Sequence, residues 1–452
     1  MKKLFGTDGM RGVANTELDP ETSFKIGRIS AYLLGGETAR PFFLVGKDTR
    51  RSGDMLEGSL VAGINSSGAD VHSLGVVSTP GLAYLTRELG ATAGIMISAS
   101  HNPIEDNGLK IFGSGGYKIS DEIERQIEEI YRDITGKGSD ELPRPTGGGI
   151  GKQVERPEAV EVYLNYLRKL APDLSRLRVA LDCGHGAVYR IAPELFTALG
   201  AEVEILHNTP DGVNINVDCG STNPARLQEL VREKKADVGL AFDGDADRLI
   251  AVDEKGEVVD GDLLLLIFSL YLKKLQRLNH DTLVATVMSN VGLEEAAEKN
   301  GFRLVRTKVG DRFVLEEMLR GEYSLGGEQS GHIIFSEHGT TGDGLLTAVQ
   351  LTGVLRREGK PLSSYREHIT CYPQVMLNCR VKTQEGWEEL PRFQEALKET
   401  ESKLGPYGRV LVRPSGTEPL MRVMVEGKRS EEELQEMAQE LCDLLSRELN
   451  GD

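Results

Sequence analysis

The chain has 452 residues, 39% of them apolar and 27% charged, with a formal net charge of −17 at pH 7. That length allows roughly three or four domains of about 100–150 residues, and the acidity argues against nonspecific nucleic-acid binding. No apolar run reaches the roughly 20 residues of a membrane span, and five scattered cysteines argue against a disulfide framework and fit a reducing cytoplasm.

The opening "MKKLFGTDGMRG" passes directly from two lysines into glycine and aspartate, so no secretion signal is expected. Its glycine-rich loop carries Arg11. "FFLVGKD" (42–48) reads as a strand, followed by a helix closing at Gly68 and a second strand in "SGADVHSLGVV". "TAGIM" (92–96) reads as a third, buried strand, and it spills into "ISASHNP" (97–103). Small polar side chains at a strand end fit the carboxyl edge of a sheet, where α/β proteins place their chemistry. An ordinary turn fits the same residues. "DNGLK" (106–110) adds Lys110, and the Pro- and Gly-rich run 141–157 reads as a linker.

The same layout returns twice. "LRVALDCGHG" (177–186) leads to a helix ending at Gly200, then "LGAEVEILHN", then "ADVGLAFDGDADR". After a turn at Lys255-Gly256 and a buried helix in "DLLLLIFSLYL", "DTLVATVMSN" (281–290) leads to Gly301, "NGFRLVRTKVG" and "EYSLGGEQSGH". Glycine suits the left-handed residue that closes a helix, and strands alternating with helices imply largely parallel sheets. Matching units put matching loops in equivalent places, so Ser100, Asp243 and Glu328 are expected in one cleft. Near residue 370 the pattern changes to strands, helix, strands and a final amphipathic helix from Ser430. The expected architecture is α/β: three similar domains with mixed, largely parallel sheets (1–150, 151–254, 255–368) and a C-terminal α+β domain (369–452), arranged around a central cleft.

"DGDADR" (243–248) gathers Asp243, Asp245 and Asp247, which repel one another unless a cation joins them. Hard oxygen ligands suit Mg²⁺ or Ca²⁺. An EF-hand loop is rejected, because its sixth place needs glycine and holds Arg248 here. "RPSGTEP" (413–419) offers the guanidinium fork of Arg413, the hydroxyls of Ser415 and Thr417, and an anion nest around Gly416. In "GGEQSGH" (326–332), Glu328, Ser330 and His332 alternate and can bond sugar hydroxyls, although a glycine turn fits as well. "KVGDR" (308–312) adds Lys308 and Arg312. A solvated surface charge is the competing reading for Arg11, Lys110, Lys308 and Arg312.

With "SASHNP", "DGDADR", "GEQSGH" and "RPSGTEP" in that order, one per domain, the sequence resembles the α-D-phosphohexomutases over essentially its full length. "FGTDGMRGVAN", "GGEQSGHI" and "TTGDGLLTA" look most like the branch acting on glucosamine phosphates; relatives acting on glucose or mannose phosphates more often carry methionine at Gln329. The resemblance implies a phosphoserine at Ser100, which donates and recovers the phosphoryl group. It implies Mg²⁺ held by Asp243, Asp245, Asp247 and Ser100, with Arg248 beside them. Arg11, His101 and Lys110 would surround the reacting centre, Lys110 as a general acid/base. Lys308, Glu328, Ser330 and His332 would bind the sugar. Arg413, Ser415, Gly416 and Thr417 would hold the phosphate that is not reacting. A sugar 1,6-bisphosphate is the implied intermediate and activator, and a small phosphosugar the implied partner, with neither nucleic acid nor membrane. Cytoplasmic location and a homodimer complete the expectations. The rival readings are a mutase of the same fold acting on glucose or mannose phosphates, a noncatalytic sugar-phosphate-binding protein and a phosphatase.

Overall fold

The computed structural model describes residues 4–6, 8–36, 38, 40–138, 140–414 and 420–450. The three-unit repeat appears as three sheets with one shared strand order. In the first, strand Phe42–Lys47 is flanked by Asp70–Val76 and Ala93–Ile97, both parallel to it. In the second, Arg178–Asp182 is flanked by Glu202–Leu206 and Val238–Phe242. In the third, Thr282–Thr286 is flanked by Arg303–Thr307 and Leu325–Gly327. Helices Ser52–Ser66, Ile191–Ala198 and Val291–Lys299 connect the first two strands of each unit. Gly68, Gly200 and Gly301 follow these helices at φ of +92°, +90° and +72°, as their positions predicted.

One element of the repeat was not visible in the sequence. Each third strand folds back into an antiparallel neighbour: Asp106–Gly113, Leu249–Asp253 and Ile333–Phe335. The three motif loops are therefore hairpin connections at equivalent corners of three sheets. The central strands Ala93–Ile97, Val238–Phe242 and Thr282–Thr286 are buried along their whole length, as expected of strands covered on both faces. The linker contributes strand Gln153–Glu155 to the first sheet, and Val258–Val259 adds an edge to the second, so these sheets run past residues 150 and 254.

One apolar core runs through the first three units. It joins Leu82 and Leu85 to Tyr163, Leu164 and Leu167 of helix Val160–Leu170, then to Phe196, Phe242, Leu265, Phe268 and Leu346. The C-terminal domain has a core of its own, including Phe393, Val423, Leu434 and Leu441, under the sheet Gln374–Arg380, Leu420–Glu426, Arg409–Pro414. Helix Glu431–Asn450 covers it. Ser430 and Glu433 bond each other's backbone at the start of that helix, a reciprocal cap. Its junction with the third unit is polar. Buried Glu426 accepts from Val291 N and Arg409 Nε, and Arg409 also donates to Ser289 O. No described helix is long and apolar enough to cross a membrane.

The cysteines correct one expectation. Cys379 and Cys442 form a disulfide between strand Gln374–Arg380 and helix Glu431–Asn450. Their separation of 63 residues hid the pairing from a reading by spacing. Closing a loop of that length constrains the unfolded chain by roughly 4 kcal/mol. Nonreducing peptide mapping is expected to recover Cys379 joined to Cys442, with exposed Cys371 alkylated at once and buried Cys183 and Cys219 only on unfolding. Cys379→Ser should lower the unfolding midpoint of the C-terminal domain; an unchanged midpoint under nonreducing conditions would count against the bridge.

Candidate active site

Ser100 sits in the first hairpin corner with φ of +53°, a left-handed backbone that non-glycine residues seldom adopt. Its neighbours hold it there. Ser100 N donates to Ser98 Oγ (2.9 Å), and Ser98 Oγ donates to Asp48 Oδ2 (2.6 Å). Asp48 accepts from Arg50 Nε (3.0 Å), and Arg50 Nη2 returns to Ser100 O (2.9 Å). The ring closes on the backbone of one residue. Arg50 is 2% exposed. Its fork also reaches Asn102 O (2.8 Å), Asp106 O (3.0 Å) and Pro103 O, so it clamps the whole "SASHNP" turn. Asn216 Nδ2 adds a bond to Ser100 O from the second unit (2.8 Å).

The "DGDADR" turn faces this corner. Gly244 comes so close that a Cβ there would lie 2.5 Å from Ser100 O, so glycine is required. The backbone of the turn accepts from Thr79 N at Asp245 O (3.0 Å), Ala187 N at Gly244 O (2.8 Å) and Gly344 N at Ala246 O (2.9 Å). Those donors come from three different units. Ser100 Oγ donates to Asp243 Oδ2 at 2.6 Å. Lys110, 1% exposed, lies 2.9 Å from Asp245, 3.2 Å from Asp247 and 3.1 Å from Asp8. Burial alone would discharge Lys110, but those carboxylates hold its pKa well above the usual value. Lys110 is placed as a charged counter-ion here, and it can give up its proton only after losing that company.

The carboxylates are unevenly balanced. Burial, with Asp247 and Asp245 beside it, pushes Asp243 well above the usual range. Burial opposes ionisation of Asp247 too, yet Lys110, His332 and Arg248 hold it at about 2. Oδ1 of Asp245 and Oδ1 of Asp247 are buried with no hydrogen-bond partner among the described residues, Arg248 Nε lying 3.7 Å from the latter. One oxygen from each of the three aspartates falls within 4.8 Å of the others. Orphaned, converging carboxylate oxygens suit a hard divalent cation. His101 Nδ1 stands 3.2 Å from Ser100 Oγ. Burial, and then Arg248 and Arg11, lower its pKa to about 4, so the imidazole is neutral at pH 7.

The third corner joins the same cleft. Leu249 N, just past the aspartates, donates to Gly331 O (3.0 Å) in the "GEQSGH" turn. Glu328 Oε1 accepts from Gly310 N (3.2 Å), and its charge, after those of Asp247 and Asp243, helps to hold Arg248 protonated. Ser330 Oγ is buried without a partner, and His332 Nε2 accepts from Gly342 N (3.2 Å). Lys308 is exposed on the loop before Gly310. Arg11 pairs with Asp8 and reaches Asn102 Oδ1 (3.3 Å). Lys118 bridges Asp8 and Asp311 from one unit to the next. Arg312 instead pairs with Asp121 and Glu316 at the surface.

Arg413 lies opposite Arg422 across an antiparallel pair, and Nε of each is buried with no hydrogen-bond partner among the described residues. Burial and Arg422 lower the pKa of Arg413. Like charges directly opposite repel, so this pair suits an anion. Ser415, Gly416 and Thr417 lie outside the described residues. The sequence reading missed Asp48, Arg50, Thr79, Asn216, Asp8, Lys118 and Asp311. Asp48 and Arg50 had a usable signal: they follow the first strand of their unit, at the sheet edge that carries Ser100.

Models of the phosphoglucomutase/phosphomannomutase domains match in order: α/β/α domain I over residues 2–137, domain II over 161–256, domain III over 260–372 and the C-terminal domain over 376–444. The phosphoglucosamine mutase of Symbiobacterium thermophilum is 53% identical over 451 residues, covering 99% of this chain and 100% of its own. The chain belongs to the phosphohexomutases, of the phosphoglucosamine mutase type. The phosphoglucosamine mutase of Shouchella clausii is 51% identical over 452 residues, covering 100% of both chains. A crystal structure of Aspergillus fumigatus N-acetylphosphoglucosamine mutase in complex with GlcNAc-6P and magnesium superposes with a TM-score of 0.70 at 18% identity, covering 99% of this chain and 96% of that one. Membership makes the chain an isomerase, with the fold expected from its loops.

In the mutase, the Arg50 clamp fixes where the Ser100 oxygen points. Ser98→Ala removes two of its bonds without adding bulk. A misplacement near 1 Å costs about 100-fold in rate, so kcat should fall about 10- to 100-fold while KM moves little. Arg50→Lys should act the same way and also lower stability by roughly 3 kcal/mol, because its fork is buried. Steady-state kinetics with thermal unfolding test both; an unchanged kcat in a folded Ser98→Ala enzyme would overturn the positioning role.

Proposed function

We propose that this enzyme interconverts glucosamine 6-phosphate and glucosamine 1-phosphate in the cytoplasm, through a phosphoserine at Ser100 and a glucosamine 1,6-bisphosphate. The observation that carries this reading is the Ser100 Oγ–Asp243 contact of 2.6 Å inside three buried aspartates. It supports a hydroxyl nucleophile beside a cation site, and phosphoryl transfer needs both.

A sugar hydroxyl attacks the phosphorus carried by Ser100, the Oγ–P bond breaks, and the hydroxyl proton passes to a base in the cleft. His101 is neutral and stands at the serine oxygen, so it can hold that proton. Lys110 supplies positive charge beside the aspartates. The bisphosphate then presents its other phosphate, and Ser100 Oγ takes back a phosphoryl group. Asp243, Asp245 and Asp247 would hold Mg²⁺, which when bound neutralises charge that develops on the phosphoryl oxygens. Its presence in the Aspergillus relative supports that assignment. Arg413 and Arg422, with the Ser415–Thr417 segment, would hold the phosphate that is not reacting. Glu328, Ser330 and His332 would bind the sugar, with Lys308 at the rim. Glu328 is the anionic acceptor for the 2-ammonium group, which distinguishes glucosamine from glucose and mannose phosphates.

Two experiments test the reading. kcat/KM measured on glucosamine, glucose and mannose phosphates should favour glucosamine by about 10- to 1000-fold, because a site built to pair a polar group leaves its own groups unpaired with an analogue. A preference for glucose or mannose phosphate would refute the substrate assignment. Ser100→Ala should lower turnover by several orders of magnitude and abolish the single phosphorylated peptide found by mass spectrometry. Release of phosphate in step with turnover would indicate a phosphatase instead.

Arg413→Ala should chiefly raise KM, by about 10- to 100-fold, since a charge-assisted bidentate contact contributes roughly 1.5–3 kcal/mol. Phosphorylation of Ser100 by the bisphosphate should slow as well. Kinetics unchanged for both ligands would place the distal phosphate elsewhere.

A further inference from the structure

The second unit carries a cluster of donor groups that the mutase reaction does not use. Asp182 ends strand Arg178–Asp182, His207 follows strand Glu202–Leu206, and Cys219 lies on the loop before helix Ala225–Lys234. One donor atom from each lies within 4.8 Å of the others, and both Asp182 and Cys219 are fully buried. His207 Nδ1 is 2.9 Å from Asp182 Oδ1. The carboxylate also accepts from Gly184 N (2.9 Å) and Gly220 N (3.0 Å), which fixes its place. His185 stands on the same rim, its ring 5.2 Å from that of His207 and its Nδ1 buried without a partner. His185 N donates to His207 O at 2.7 Å, and both residues are left-handed at φ of +51°.

We infer that Asp182, His207, Cys219 and His185 form a second metal site, for a thiolate-preferring divalent cation of the zinc class. The donor set decides the class. Two imidazoles, a thiol and a carboxylate are ligands for Zn²⁺ and its neighbours, whereas the all-oxygen aspartate site suits Mg²⁺. Bonds of about 2.0–2.3 Å put the ligand atoms of a tetrahedral zinc site roughly 3.5 Å apart. The donor atoms of Asp182, His207 and Cys219 already lie within 4.8 Å of one another, so small movements of their loops bring them to that spacing. Asp182 either ligates directly or remains behind His207, orienting its ring, as carboxylates do behind metal-bound histidines. Binding forms the sulfur–metal bond and releases the thiol proton to water. Burial, reinforced by Asp182 and Asp218, keeps that proton on the free thiol.

The site lies against the catalytic corner. Asn216, on the same loop as Cys219, donates from its side chain to Ser100 O and from its backbone to Gly184 O. Thr49 Oγ1, next to Arg50 in the chain, donates to His185 O. A cation here ties together the two loops that support the Ser100 turn from the second unit.

The test uses the full enzyme, stripped of metal and held in excess Mg²⁺ so that the aspartates are occupied, and titrated with Co²⁺ alone. One equivalent is expected to give an intense thiolate-to-cobalt charge-transfer absorption, which oxygen ligands cannot produce. Affinity should rise about tenfold per pH unit as one proton is displaced. Cys219→Ser should remove the absorption, and His207→Ala and His185→Ala should each weaken binding at least tenfold in enzyme that unfolds at the wild-type temperature. Absence of the thiolate absorption in the wild-type enzyme would overturn the inference, and this readout needs no variant. Persistence of the absorption in Cys219→Ser would overturn it too, by assigning the signal to Cys183 or Cys371.

Discussion

Charge balance in the buried turn 243–248 governs the cleft. Three aspartates, with Asp8 close by, share Lys110 as the amine that touches most of them. Buried carboxylates are tolerated only when paired. Asp247 is held ionised by its neighbours, Asp243 is pushed toward its neutral form, and oxygens of Asp245 and Asp247 have no hydrogen-bond partner among the described residues. The turn keeps this uncomfortable arrangement because its backbone is bonded from three units and cannot spread. The strain is functional: carboxylates that cannot relax are ready for a cation, and a hydroxyl stands 2.6 Å from one of them. Pre-organisation of this kind lets a site stabilise charge without rearranging at the moment of reaction.

The packing divides the molecule unequally. Units one to three share an apolar core, so the Ser100, aspartate and Glu328 corners are set against one another by close packing. The ion chain Asp8–Lys118–Asp311 reinforces the seam between the first and third units. The C-terminal domain keeps its own core and meets the third unit through Glu426, Arg409 and Ser289. Small polar contacts between separately cored bodies are where domain motion is expected.

Much of this was legible in the sequence because it depends on local rules. Glycines at 68, 200 and 301 marked the helix ends, and the apolar runs marked the buried strands. Their repetition was enough to bring Ser100, Asp243 and Glu328 to equivalent corners of three matching units. The return strands escaped notice because they are short or begin with polar residues such as Asp106 and Asn107, which blur a period-two pattern. Arg50 escaped because the arginine pair in "DTRRSG" reads as surface charge; only the fold shows Arg50 buried under five carbonyl and carboxylate groups. The Cys379–Cys442 bridge escaped because its partners are remote in the chain. What the sequence hid was consistently what long-range packing decides.

The separate core of the C-terminal domain bears on how often the enzyme completes its reaction. In the proposed reaction, the bisphosphate has to turn end over end between its two transfers. Units one to three form one packed body, so the C-terminal domain, with a core of its own, is where motion is expected. The same motion that lets the intermediate tumble would also open a way out to solvent. In that reaction each opening would be a race between reorientation and escape, and an escaped bisphosphate would leave Ser100 unphosphorylated. The stiffness of the Glu426 and Arg409 junction would then set how many turnovers separate one loss of the phosphoryl group from the next.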